Sequence, residues 1–381
     1  MPRIFNRRPL ADQMARQLLR PGVLDEGLRS GLFLSGPRRT GKTTFLGNDL
    51  IPALEAMGAL VVYVDLWTDL AVNPAALIHA ALRKTLEDLQ TPASGLWARL
   101  RQLRGAELGV MGFKFGFRLD SIGQPGGPTL AQAITEVVDQ ARTDIVLIVD
   151  EVQQAMTTEE GNNTLLALKA ARDAINVRPG TPGHFIFVGT GSHRALLNEL
   201  TTKRTQAFAG ATSVAYPVLD DAYVAHLLER LREDGVARVP AQDVAAAAFR
   251  TLGHRPEEML KALRLTIAQP GEPDLTLPIV AATLRTTAAD IELARIDEMG
   301  ALARAVFDRI AGAEGAARGI FGAEAIEDYA KAVGREVRTD EVQTVVNNLV
   351  LANLVLREGH GLYGAADPFV KESWRAKKRL D

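Results

Sequence analysis

Residues 145–150, Ile-Val-Leu-Ile-Val-Asp, are apolar without a break until the final carboxylate. A strand with one wet face alternates apolar and polar residues, so an unbroken run demands cover on both faces. Similar runs occupy 31–35, 59–65 and 184–190, with a weaker one at 212–217. Helical periodicity separates them at 74–90 and 130–142, and again from Lys42 onward. Such strands joined by helices predict an α/β domain with a parallel sheet between helical layers. Residues Val110 to Leu119 alternate large apolar with small or charged side chains, which predicts a half-exposed β insertion over 105–129. From Leu219 the pattern is almost wholly helical, so a change of fold class is expected near 218.

The first run leads directly into Gly36-Pro37-Arg38-Arg39-Thr40-Gly41-Lys42-Thr43, followed by Thr44. This is the spacing G-x-x-x-x-G-K-T between a strand and a helix. Glycines let backbone N–H groups converge on phosphate oxygens, and the helix from Lys42 turns its positive end toward them. Gly36 through Thr44 are therefore the candidate phosphate contacts. Lys42 would reach the β- and γ-phosphates and Thr43 would ligate Mg²⁺. Asp150 and Glu151 end the strongest strand, where Asp150 would hold Mg²⁺ through water and Glu151 would polarise the attacking water. A glutamate there points to hydrolysis rather than storage of nucleotide.

Thr190 ends the next strand, with Ser192 close behind, and either could contact the γ-phosphate or the water; strand-end hydroxyls also serve as helix caps. Two arginines could complete the charge. Arg204 lies just before the last strand, and Arg255 sits in Gly253-His254-Arg255-Pro256 at the start of a helix.

Composition narrows the chemistry. The 381 residues contain no cysteine, which excludes thiol catalysis, disulfides and Cys-ligated metal and fits a cytoplasmic protein. No run of about 18 apolar residues occurs, so no membrane span is expected, and the N-terminus lacks a signal-peptide pattern. A net charge of −2 argues against a surface basic all round.

Taken in order, these pieces resemble AAA+ proteins, more narrowly the archaeal-type ATPases of the STAND group, related to the origin-recognition clade. The resemblance rests on Asn6-Arg7-Arg8, the glycine loop, Val62-Tyr63-Val64-Asp65-Leu66 and Ile148-Val149-Asp150-Glu151-Val152-Gln153. It continues through Val188-Gly189-Thr190-Gly191-Ser192, Gly253-His254-Arg255-Pro256, Leu362-Tyr363 and Asp367-Pro368-Phe369. It implies a P-loop NTPase of the ASCE division with sheet order 5-1-4-3-2, in a core over 1–217. A helical lid over 218–298 and a winged helix over 299–381 with a basic C-terminal helix would follow. It further implies ATP between core and lid, with adenine contacts from Arg7 or Arg8. Relatives carry Arg after a Gly just before the last core strand. Here Gly210 is followed by Ala211, so Arg204 would have to act on a neighbouring subunit instead.

Residues 301–311 and 322–333 read as helices, Thr339 as the cap of a third, and 354–363 as a hairpin. The outward face of the third helix shows Asp340, Glu341, Gln343, Thr344, Asn347 and Asn348, with no Lys or Arg. Arg335 and Arg338 before it, and Arg375, Lys377, Lys378 and Arg379 at the end, leave flanking phosphate contacts open. The leading expectation is an ATP-hydrolysing switch of AAA+/STAND type that couples nucleotide state to a protein or DNA partner, either as a monomer or as an oligomer. A DNA-acting ATPase, such as a loader or transposition regulator, is the alternative. A small-molecule kinase fits the acidic pair less well.

Overall fold

The computed structural model describes residues 4–69, 71–91, 94–95, 98, 113–116, 118, 122, 126–359 and 361–378. The chain divides into two compact units, 2–217 and 218–381.

In the first unit, helix α1 (Arg8–Leu19) precedes strand β1 (Leu32–Ser35). The glycine loop follows and opens helix α2 (Lys42–Phe45), which continues through a wider π turn at Leu46–Leu50 into α3 (Ile51–Ala56). Strand β2 (Leu60–Asp65), helices α4 (Pro74–Gln90) and α5 (Leu130–Ala141), and strand β3 (Ile145–Asp150) come next. Helix α6 (Glu159–Asn176), strand β4 (Phe185–Gly191), helix α7 (Arg194–Thr202) and strand β5 (Thr212–Ala215) complete it. The helix starts have local causes. Asn73 accepts from the Ala75 N–H, Thr129 and Gln132 form a capping box, and Thr158 accepts from the Gly161 N–H.

The five strands are parallel in the order β2-β3-β4-β1-β5, which read from the other edge is the expected 5-1-4-3-2. Central β1, β3 and β4 are buried throughout. Edge strand β2 alternates, leaving Val61, Tyr63 and Asp65 half-buried, and β5 is more open still. Phe33, Leu147, Val149 and Phe187 face the layer of α4, α5 and α6. Phe33, Phe187 and Phe208 pack ring on ring, with Phe187 and Phe208 stacked at 4.3 Å. The register sets Asp65 beside Asp150 and Leu34 beside Thr190. The polar ends of β2, β3 and β4 thus lie level with the glycine loop.

Most of the β insertion expected over 105–129 lies outside the described residues. Those described, including 113–116, form no strand. Phe113 is buried beside α4, and the Gly116 N–H donates to Glu136 on α5 at 2.9 Å.

The second unit comprises helices α8 (Asp221–Glu233), α9 (Gln242–Thr251), α10 (Pro256–Ile267), α11 (Pro273–Glu298), α12 (Ala301–Gly312), α13 (Ala323–Val333) and α14 (Thr339–Leu351). An antiparallel hairpin of β6 (Val355–Gly359) and β7 (Leu362–Ala365) and helix α15 (Pro368–Lys378) end it. Val306, Phe307, Val342, Val346, Leu349 and Trp374 form one core, to which α11 contributes Ala289, Leu293 and Ile296. Thr339 is the first residue of α14 rather than its cap. Arg338 precedes it, and the Arg338 N–H donates to the Glu341 carboxylate at 3.3 Å. Among the described residues, no helix is long and apolar enough to cross a membrane.

Candidate functional site

The glycine loop closes on itself. Gly41 has φ 89°, a left-handed conformation that suits glycine, and it turns the chain into α2. Gly36 passes so close to Tyr216 that a Cβ on it would meet the Tyr216 Cβ at 2.9 Å. The Lys42 ammonium folds back over the loop and donates to the carbonyls of Gly36 (2.7 Å) and Pro37 (2.8 Å). Thr40 Oγ1 donates to Pro37 as well, at 2.8 Å. Burial lowers the Lys42 pKa, against the pull of the Glu151 and Asp150 charges. Pro37, Arg38, Arg39, Thr43 and Thr44 are exposed around this turn.

Asp150 is buried and gathers hydroxyls. Thr43 Oγ1 donates to its Oδ2 at 2.6 Å, Tyr63 Oη to the same oxygen at 3.4 Å, and Thr190 Oγ1 to Oδ1. Burial, then the Asp150 and Asp65 charges, push the Tyr63 phenol far above its ordinary pKa, so it stays a donor. Burial also raises the Asp65 carboxyl.

Glu151 follows in a left-handed conformation, with φ 53° and ψ 44°. This turns its carboxylate away from β3 and onto the chain after β4. Its Oε2 accepts from the Ser192 N–H (3.1 Å), from Ser192 Oγ (2.8 Å) and from the Gln153 amide. Arg38 Nε donates to Ser192 Oγ at 3.3 Å, and its guanidinium lies 4.3 Å from the Trp67 ring centroid. Thr190 and Ser192, alternatives in the sequence, therefore have separate partners: Thr190 holds Asp150 and Ser192 holds Glu151.

Arg7 lies beside α2, next to Phe45 and Tyr216. Its N–H donates to Asp49 at 2.9 Å, and its guanidinium donates to Tyr216 Oη (3.0 Å) and the Pro217 carbonyl (2.6 Å). The guanidinium is 5.5 Å from the Phe45 and Tyr216 ring centroids. Arg8 is exposed. Arg204 is exposed in the turn between α7 and β5.

In the second unit, Arg255 precedes α10 and pairs with Asp367 at 3.6 Å. Arg285, on α11, pairs with the same carboxylate and lies over the Phe369 ring. The cations flanking α14 are engaged too. Arg335 pairs with Glu341, and Arg338 with Asp340. Near the end of the described chain, Lys377 pairs with Asp290 and Lys378 with Asp308, while Arg375 donates to the Ala311 and Gly312 carbonyls that end α12.

Tyr63 and Gln153 stand in the sequence only within the quoted motifs, with no site role read for them, and Trp67 and Tyr216 carry no local signal.

The arrangement offers backbone donors and an ammonium to a polyphosphate, and two hard oxygens, Thr43 Oγ1 and Asp150 Oδ2, to a divalent cation. Among the described residues, no three His, Asp or Glu side chains group to hold a metal by themselves. Such donors suit an ion that arrives with phosphate oxygens and water in its shell, as Mg²⁺ does.

No protein-family model and no curated protein matches the chain. Solved structures match its fold. The ORC2 protein of Aeropyrum pernix in its ADP form aligns at a TM-score of 0.56 and 14% identity, over 99% of this chain and 96% of that one. The same protein in its ADPNP-ADP complexes aligns at 0.51 and 14% identity, over 100% and 96%.

Proposed function

Because the chain folds as the origin-recognition AAA+ ATPases do, we propose that residues 2–217 bind ATP with Mg²⁺ and hydrolyse it to ADP and phosphate. The observation that carries this reading is the pairing at the end of β3. Asp150 sits 2.6 Å from the Thr43 hydroxyl while Glu151 is aimed separately by Ser192. In the proposed mechanism the loop N–H groups from Arg38 to Thr44 and the Lys42 ammonium bind the phosphates, and Thr43 and Asp150 hold Mg²⁺. The metal supplies charge neutralisation at the phosphates when bound. Glu151 orients a water through its second carboxylate oxygen and takes its proton as the new P–O bond forms. The bond from the γ-phosphorus to the β–γ bridging oxygen breaks, and that oxygen leaves with ADP. Thr190 keeps Asp150 in place.

The output is proposed to be a conformational one, with 218–298 as a helical lid and 299–381 as a winged helix, in a cytoplasmic setting. The second reading is an ATPase acting on DNA. The ion pairs that already occupy Arg335, Arg338, Lys377 and Lys378 favour a protein partner over DNA.

Two variants and one titration test this. Lys42→Ala is expected to lose nucleotide binding. Glu151→Gln is expected to bind ATP and hydrolyse it at least about a hundredfold more slowly. Hydrolysis measured with and without duplex DNA, at two salt concentrations, is expected to be flat. Salt-sensitive stimulation would favour the DNA-acting reading.

A further inference from the structure

Arg38 lies inside the glycine loop, yet the loop does not use it. Its side chain crosses to the opposite wall of the site, stacks on Trp67 and gives its Nε–H to Ser192 Oγ. Ser192 in turn spends its one hydroxyl hydrogen on Glu151. The donor directions are consistent from one end to the other, so a single line of contacts runs from Trp67 through Arg38 and Ser192 to Glu151. Among the described residues, the Nη groups of Arg38 have no acceptor. A guanidinium with both Nη groups free matches the oxygens of a phosphate.

Position decides which phosphate. Glu151 acts where water attacks, and Arg38 is one hydroxyl away from it. We propose that Arg38 supplies, from within the same chain, the positive charge that meets the terminal phosphate, and that its departure from Ser192 reports that phosphate to Glu151. This rests on the reading of Glu151 given above. Without a terminal phosphate the guanidinium rests on Trp67 and Ser192. With one, its Nη groups turn to the phosphate oxygens, and Ser192 is left with Glu151 as its partner. ADP lacks the group that moves Arg38.

The test uses the full chain with Arg38→Gln and Glu151→Gln. Arg38 is exposed, so its variant keeps the fold. Arg38→Gln is expected to lower kcat by about a thousandfold, the low end of arginine-finger contributions, with ADP affinity unchanged. Wild-type specific activity is expected to be constant from nanomolar to micromolar protein. A mixture of Arg38→Gln and Glu151→Gln chains is expected to stay inactive, since neither holds a complete site. Trp67 emission is expected to change with a non-hydrolysable ATP analogue and not with ADP, and Trp67→Phe to remove that signal. Wild-type kcat in Arg38→Gln would overturn the proposal. So would activity that rises with protein concentration together with recovery in the mixture, which would assign the charge to a neighbouring chain. Wild-type turnover in Glu151→Gln would instead remove the base reading, and with it the Ser192 link, whatever Arg38→Gln does.

Discussion

Thr190→Val replaces a hydroxyl by a methyl at a site where both Thr190 and its partner Asp150 are 1% exposed. On apolar burial alone the valine should stabilise the protein. The hydrogen bond reverses that sign. A bond to a charged acceptor is worth about 1.5–3 kcal/mol. Asp150 keeps Thr43 at 2.6 Å and the Glu151 N–H at 3.1 Å, so it is not left without donors. A loss of about 2 kcal/mol follows. For a unit of this size, each kcal/mol moves Tm by about 2–4 °C, so the first unit should melt about 4–8 °C lower. Thr190→Ser keeps the hydroxyl and loses one methyl, at a cost of about 1 kcal/mol. The diagnostic is the order: valine, the more apolar residue, must be the more harmful. Calorimetry of the nucleotide-free chain measures it, and the shift must fall on the transition of residues 2–217. If Thr190→Val melts with the wild type, or above Thr190→Ser, the contact with Asp150 does not carry the energy assigned to it.

Three further outcomes are expected. Folded Lys42 binds its proton less tightly than the unfolded chain does. Its charge therefore opposes folding below its lowered pKa, and that cost is relieved as pH rises toward 10.5. Urea denaturation should show the stability of wild type relative to Lys42→Met rising over that alkaline window, and parallel curves would refute the assignment. Asp367→Asn strips the charged partner from Arg285, whose side chain is 10% exposed, and should destabilise the second unit by about 3 kcal/mol in thermal unfolding. Phe208→Ala removes the ring stacked on Phe187 at 4.3 Å and should cost the first unit about 3–5 kcal/mol by denaturant titration, leaving the second unit unaffected.

Strand positions were legible because the apolar runs in β1, β3 and β4 are set by burial on both faces, a property written into consecutive residues. Strand β2 was legible from its own residues as a strand, while its place at the edge came only from the order 5-1-4-3-2 that the resemblance implies. Its half-exposed Tyr63 depends on having one neighbour rather than two, and a single run does not encode its neighbours. The loop and the Asp150-Glu151 pair were legible because local chemistry demands glycine, lysine and carboxylate at fixed spacing. What escaped were contacts made across the sheet. Ser192 reaches Glu151 over 41 positions and Tyr63 reaches Asp150 over 87, distances that only the strand order closes. The partners of the Arg7 guanidinium, Tyr216 and Pro217, lie more than 200 positions away and carry no local signature.

The ion pairs of residues 218–381 bear on how quickly a partner arrives. Arg335, Arg338, Lys377 and Lys378 each face a carboxylate of their own unit, so their fields cancel within a few ångströms. A polyanion at a distance feels little pull from them. Those four cations then add little to the electrostatic acceleration that can lift association from about 10⁵–10⁶ toward 10⁸–10⁹ M⁻¹s⁻¹. Mutating them should therefore change the rate of encounter with a polyanion very little.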